Sequence, residues 1–269
     1  MEIKKRLDIL LFEKGLTESR EKARALIMAG DVYVNNQKAD KPGVAYKEDV
    51  NIELRMPQIS YVSRGGLKLE KAIKSFGIEL NNKITMDIGA STGGFTDCML
   101  QNGAKKVYAI DVGYGQLAWK LRNDEKVINL ERTNVRYIDA NMVPDGIDFF
   151  SVDVSFISLK LVLPIAREFM NDCATAVCLI KPQFEAGKEN VGKNGVVRDK
   201  NVHVDVINSI CEFVINNGFD ILGLEYSPVK GPKGNIEYLI YIRKSEEPVD
   251  ISKVDIQDLV DRSHKELDK

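Results

Sequence analysis

Asp87-Ile-Gly-Ala-Ser-Thr-Gly-Gly-Phe-Thr96 is the stretch on which the reading of this chain turns. It follows Ile84-Thr-Met-Asp-Ile88, short and apolar enough for a strand, and it opens Gly93–Gln101, whose apolar residues recur at helical spacing. Glycines between a strand and a helix permit a tight turn and close approach of a ligand to the backbone. The spacing is not G-x-G-x-x-G, so a dinucleotide pyrophosphate site is not indicated. Beyond the loop the alternation continues. Strands are expected at Val107–Asp111, Val127–Leu130, Ile147–Val152 and Ala174–Ile180, with helices at Gln116–Arg122 and Leu159–Phe169. A loop, Gln183–Lys200, leads to a helix near Val202–Asn216 and to a closing pair, Ile221–Ser227 and Glu237–Arg243. This alternation specifies the α/β class, a doubly wound parallel sheet covered on both faces, into which the last pair can place an antiparallel strand. In such sheets ligands bind beyond the carboxyl ends of the strands, where Asp87, Asp111, Asp153 and Lys181 would gather.

Toward the amino terminus the pattern changes. Leu7, Leu10 and Leu11 recur at helical spacing before Gly15, and a second helix runs from a cap at Thr17 or Ser19 to Gly30 with Ala23, Leu26 and Ile27 on one face. Asp31–Val34 alternates like a strand, Asn35-Asn36 can turn it, and Asp49–Leu54 offers another. The result is a small α+β unit over residues 1–54. Arg55-Met-Pro-Gln-Ile-Ser60 carries a proline and little periodicity and falls in a linker over 55–63. The second domain is expected over 64–245, with a helix at Leu67–Phe76, and 246–269 forms an acidic tail with helical spacing at Ile256–Leu267.

The chain has 269 residues, 44 % hydrophobic and 29 % charged, an ordinary globular composition. Its net charge of −2 is unevenly spread: from Ser245 onward eight acids face four bases, whereas Met1–Lys47 carries ten bases against seven acids. The pI of 5.9 therefore does not exclude an anionic partner. No apolar run approaches the roughly 20 residues that span a bilayer. No apolar core follows Met-Glu-Ile-Lys-Lys-Arg6, so no signal peptide is expected and a soluble cytoplasmic protein is. Cys98, Cys173, Cys178 and Cys211 are scattered and the histidines number two, so neither a metal site nor a disulfide is expected, and the cysteines read as small buried side chains.

Two resemblances sharpen this. The pattern Arg6-Leu-Asp…Gly15-Leu16…Ser19-Arg20…Ala23…Leu26-Ile27…Gly30…Val32…Val34-Asn35 resembles the S-four-type RNA-binding domain. It implies phosphate contacts from Lys4, Lys5, Arg6, Arg20, Lys22 and Arg24, of which Arg20 and Arg24 share a helix face. The form D-x-G-x-x-x-G-G resembles the first motif of Rossmann-like S-adenosylmethionine-dependent methyltransferases. That resemblance implies cofactor contacts from Asp87, Gly89, Ala90, Ser91, Thr92, Gly93, Gly94 and Phe95, with Asp111 on the ribose hydroxyls and Asp153 beside them.

Together with Tyr61–Leu69, Asp111–Trp119, Asp153–Ser158, Lys181–Gly187 and Gly231–Glu237, these motifs make the chain similar to the TlyA family. Its members are ribosomal RNA 2′-O-methyltransferases that join an S-four-type domain to a methyltransferase of the FtsJ class. The resemblance implies S-adenosyl-L-methionine as cofactor, cytidine ribose in ribosomal RNA as substrate, and a catalytic Lys-Asp-Lys-Glu tetrad at Lys68, Asp153, Lys181 and Glu237. Lys181 is expected to remove or orient the 2′-hydroxyl proton. A lysine acts as a base only when its pKa is lowered, which burial and a second ammonium would do. Asp153 and Glu237 would orient Lys181 and the ribose, and Lys68 would hold phosphate or tune the site. Arg64, Lys188 and Lys193 are further candidate RNA contacts, and 183–200 reads either as a loop closing over RNA or as a plain surface loop. The Arg6 region and the long tail resemble the longer family form, which implies both ribosomal subunits as substrates. A binding-only ribosome assembly factor is the alternative. Family members are also labelled haemolysins, but the tail is too acidic for an ordinary binder of anionic membranes.

Overall fold

The structure is a computed structural model that describes residues 4–54 and 60–268. Of the expected linker, residues 55–59 lie outside the described residues. The chain divides into two compact units, Met1–Ser60 and Tyr61–Lys269.

Unit 1 contains β1 (Lys4–Arg6), α1 (Leu7–Glu13), α2 (Arg20–Ala29), β2 (Val32–Val34), β3 (Gln37–Lys38), β4 (Ala45–Lys47) and β5 (Ile52–Leu54). The Ser19 side chain caps α2 by accepting from the Lys22 amide at 3.1 Å. Asn35 and Asn36 both adopt positive φ and turn β2 into β3, and β2 also pairs antiparallel with β5. Leu7, Leu11, Ala23, Ile27, Val32 and Val34 close one small core. The antiparallel pair β1–β4 was not expected, because Lys-Lys-Arg reads as charge and carries no alternation.

Unit 2 begins with α3 (Gly65–Phe76) and continues through β6 (Ile84–Ile88), α4 (Gly94–Gln101), β7 (Lys106–Ile110), α5 (Trp119–Arg122), β8 (Val127–Leu130) and β9 (Ile147–Val152). There follow α6 (Leu163–Glu168), β10 (Met170–Ile180), α7 (Pro182–Glu185), α8 (Lys200–Asn216), β11 (Phe219–Tyr226), β12 (Tyr238–Lys244) and α9 (Ile256–Leu267). The sheet order is β11-β12-β10-β9-β6-β7-β8, parallel except for β12, which runs antiparallel to both neighbours. Its order reverses at β6–β9, the position where an open α/β sheet leaves a crevice. Alternation along the strands feeds two cores: Met86, Ile88, Phe150 and Cys178 face one side, and Val107, Phe149, Val177 and Leu179 the other.

Three expectations change. The helix expected over Leu159–Phe169 splits into a 3-10 turn at Leu159–Leu161 and α6, because Pro164 sits at the start of α6, where a missing amide is tolerated. The helix expected from Gln116 starts at Trp119, the residues before it forming a loop whose Ala118 amide donates to the Thr92 carbonyl at 3.1 Å. The acidic stretch 246–269 is an integral part of unit 2: Leu259 and Val260 of α9 are fully buried, so a helix acidic overall still presents an apolar stripe to the core. Cys98, Cys178 and Cys211 are buried as expected, whereas Cys173 is exposed.

Candidate active site

The site is assembled by strand direction. Because β12 is antiparallel, Tyr238 pairs with Ile180, and this register sets Glu237, just before β12, beside Lys181, just after β10. Asp153 follows β9, and Lys68 reaches in from α3. Lys68 Nζ lies 2.7 Å from Glu237 Oε2 and 3.3 Å from Asp153 Oδ2, while Lys181 Nζ lies 2.5 Å from Asp153 Oδ1. The structure thus brings all four expected residues into one cluster, mostly buried and with charges balanced. Burial works against the Lys68 ammonium, but Asp153 and Glu237 outweigh it and raise its pKa. Burial likewise works against the Asp153 charge, yet the two lysines hold its carboxyl below the usual range.

The roles expected within the cluster need correction. Lys68, expected to hold phosphate or tune the site, is buried against two carboxylates, an arrangement that suits the second of these roles. Glu237 holds Lys68, and Asp153 alone of the two carboxylates contacts Lys181. Sequence reasoning missed Ser155, whose Oγ accepts from Lys181 at 3.3 Å, and Gln183, whose amide donates to Glu237 Oε1 at 3.4 Å. Their position in the strand-end motifs was the available signal. It also gave no role to Phe156, which is 88 % exposed at positive φ with its ring 5.1 Å from that of Phe184, itself 5.9 Å from Lys181 Nζ.

The glycine loop borders this cluster. Gly89 has φ +88°, and a Cβ there would come within 2.5 Å of the Asp153 carbonyl oxygen, so only glycine lets the loop turn this close to β9. Ser91 and Thr92 are exposed at the loop tip. Asp111 accepts from the Ser91 amide and the Gly113 amide, both at 2.7 Å, and is followed by Val112, an exposed apolar side chain. Two expected ligand contacts are corrected here. Asp87 is fully buried: its Oδ2 accepts from the Thr96 amide at 2.8 Å and the Thr96 hydroxyl at 2.7 Å, and its Oδ1 from Ser151 at 3.1 Å. It shapes the loop from inside, and burial pushes its pKa up to about 6. Phe95 packs into the core with Leu69 and Met99. Ala90, Gly93 and Gly94 are also buried, so their contribution is backbone shape. Gly94 admits α3, since a Cβ there would meet Ser63 Oγ at 2.3 Å and the Gly66 nitrogen at 2.8 Å.

The expected RNA contacts divide. Lys4 and Lys22 are exposed in unit 1, as are Arg64, Lys188 and Lys193 in unit 2. Lys5 is instead a strut, its ammonium 2.8 Å from Glu13 and 2.6 Å from Glu48. Arg6, Arg20 and Arg24 converge on Asp8. Loop 183–200 is anchored at its far end, where the Val197 amide donates to Asn235 Oδ1 at 3.0 Å and the Asn235 amide to the Gly195 carbonyl at 2.8 Å. Among the described residues no cluster of three or more His, Cys, Asp or Glu side chains is placed to hold a metal ion, and no helix is long and apolar enough to cross a membrane.

A seven-stranded sheet with one antiparallel strand, a glycine loop after its first strand and an acid after its second define a Rossmann-like methyltransferase. The model of the FtsJ-like methyltransferase matches residues 61–244 and that of the S4 domain residues 5–52, and the chain belongs to the TlyA family, which joins the two. The 16S/23S rRNA (cytidine-2′-O)-methyltransferase TlyA of Mycobacterium tuberculosis is 39 % identical over 96 % of this chain and 96 % of its own. Hemolysin A of Brachyspira hyodysenteriae is 48 % identical over 88 % of this chain and 98 % of its own. A solved structure of a Streptococcus thermophilus protein, named as a hemolysin, superposes with TM-score 0.81 at 45 % identity, covering 100 % of this chain and 98 % of that one.

Proposed function

We propose that this chain methylates the ribose 2′-hydroxyl of cytidine in the RNA of both ribosomal subunits, in the cytoplasm, with S-adenosyl-L-methionine as donor. The observation that carries the reading is the Lys68–Glu237, Lys68–Asp153 and Asp153–Lys181 chain of contacts beside the glycine loop. Asp111, with Ser91 and Gly113 already on it, suits the ribose hydroxyls of the cofactor, Val112 offers its adenine an apolar side, and the tip at Ser91 and Thr92 suits the methionine portion. When bound, the cofactor supplies an electrophilic methyl group on sulfur with its leaving group built in.

The protein's task is then to align the hydroxyl and take its proton. Lys181, held by Asp153 and Ser155, is the group that meets the 2′-hydroxyl. Lys181 first gives up its own proton to solvent; as the neutral amine its Nζ then takes the hydroxyl proton while the new carbon–oxygen bond forms, and alignment supplies much of the rate. Lys68, itself held by Glu237, holds Asp153 and so fixes the direction of Lys181. Phe156 offers a face on which an unstacked base can lie.

The test is transfer of labelled methyl from S-adenosyl-L-methionine to purified small and large subunits lacking the modification, followed by nucleoside analysis. Label in 2′-O-methylcytidine from both subunits is expected. Label on a base, or none in either subunit despite cofactor binding, would overturn the reading.

A further inference from the structure

We propose that Asp8 is a positioning residue for RNA binding, its buried carboxylate gathering Arg6, Arg20 and Arg24 into one ordered guanidinium cluster that meets RNA phosphates. This rests on the reading of unit 1 as a part of the chain that holds ribosomal RNA. Asp8 lies in the first turn of α1, Arg6 ends β1, and Arg20 and Arg24 stand one turn apart on α2, so a single side chain ties together three elements. Asp8 Oδ1 accepts from Arg6 Nε at 2.9 Å, and Oδ2 accepts from Arg6 Nη2 at 3.2 Å, Arg24 Nε at 2.9 Å and Arg20 Nη2 at 3.4 Å. Oδ2 thus accepts three of the four bonds and Oδ1 one, as many bonds as a carboxylate ordinarily takes.

The exposures are unequal. The Asp8 side chain is 0 % exposed, whereas those of Arg6, Arg20 and Arg24 are 47, 45 and 49 % exposed. The carboxylate is therefore closed to any partner, while about half of each arginine side chain stays open to solvent. Three positive charges on one negative leave the cluster at +2, and three long side chains are ordered before RNA arrives, which lowers the entropy lost on binding. The guanidiniums hold the Asp8 carboxyl far below its usual range, so it stays charged wherever RNA is bound.

Charge alone and positioning predict opposite signs. Removing the Asp8 charge raises the cluster from +2 to +3, which by electrostatics alone tightens RNA binding and steepens its salt dependence. Loss of positioning weakens it. The experiment uses the full chain with large ribosomal subunits lacking the modification, and measures Kd over a salt series together with KM and kcat. We expect Asp8→Asn to raise Kd and KM on the order of tenfold with kcat unchanged. Arg24→Lys keeps its charge but loses the guanidinium fork, and it should shift Kd and KM in the same direction, with little further effect when combined with Asp8→Asn. Equal or tighter binding by Asp8→Asn, while the triple replacement of Arg6, Arg20 and Arg24 by Ala binds weakly, overturns the role of Asp8 alone. Unchanged binding by the triple variant overturns the reading of unit 1 itself. If Asp8→Asn fails to fold by circular dichroism, Arg24→Lys decides: wild-type Kd and KM there overturn the proposal.

Discussion

Two lysines share one carboxylate in the candidate active site, and their surroundings separate their work. Lys68 is enclosed by Asp153 and Glu237 and held as a cation, while Lys181 has Asp153, Ser155 and the face of Phe184 around it. Asp153 is thus the hinge of the cluster. Asp153→Asn would leave both ammoniums without their common counter-charge, and breaking a buried pair in this way costs about 3 kcal/mol or more. Thermal unfolding should show that loss together with a collapse of methyl transfer; a variant as stable and active as the wild type would contradict the arrangement. Asp153 and Lys181 were legible as residues at strand ends, whereas Lys68 and Glu237 came only from the resemblance to the FtsJ class. Which carboxylate holds which lysine was not legible, because that depends on the register of an antiparallel strand that no local pattern encodes.

At the scale of the element, the glycine loop and the tail helix show where sequence patterns succeed and where they fall short. Strands β6, β8 and β9 appear at their expected bounds, since short β-branched runs between turn signals leave little choice. The loop was read as a ligand cradle, but its acid and its aromatic ring turn inward: Asp87 braces Thr96 and Ser151, and Phe95 fills the core. Burial of this kind is a tertiary property invisible to a motif. Gly89→Ala would force a side chain against the Asp153 carbonyl at φ +88°. The strain should cost on the order of 2 kcal/mol and weaken cofactor binding, which calorimetry and thermal unfolding can measure together. Normal affinity and stability would show that the loop relaxes freely. In the tail, composition suggested an appendage and spacing a helix, and the spacing was the better guide. Deleting 246–269 removes Leu259 and Val260 and bares the core side chains they cover, so unit 2 should lose about 3–6 kcal/mol, read by denaturant unfolding. A truncated chain of undiminished stability would contradict the packing of α9.

Across the whole molecule the net charge of −2 conceals a basic amino-terminal region and an acidic final helix, and the pI alone therefore says little about partners. The two-part organisation was legible because periodicity changes around residues 55–63, and the chain divides after Ser60. Titration of the whole chain should also carry a mark of the loop. The Asp87 carboxyl is raised by burial to about 6, so the stability it contributes is full below the unfolded pKa near 3.8 and is lost as pH rises through about 6. The advantage of the wild type over Asp87→Asn should therefore be largest near pH 4 and shrink by about 3 kcal/mol on the way to pH 7. A difference that stays flat with pH would mean that Asp87 is not held as the geometry indicates.

In the proposed reaction Lys181 handles the proton of a ribose hydroxyl at the end of a charged chain running through Asp153 to Lys68 and Glu237. The measurement that tests it most directly is the single-turnover rate of methyl transfer to ribosomal subunits by Lys181→Ala and Lys181→Arg, with cofactor affinity measured alongside. Both variants should bind S-adenosyl-L-methionine nearly as the wild type does, and both should transfer methyl some 10²–10⁴-fold more slowly, because arginine keeps the charge but accepts no proton. A rate close to wild type in Lys181→Ala, with cofactor bound, would contradict the account.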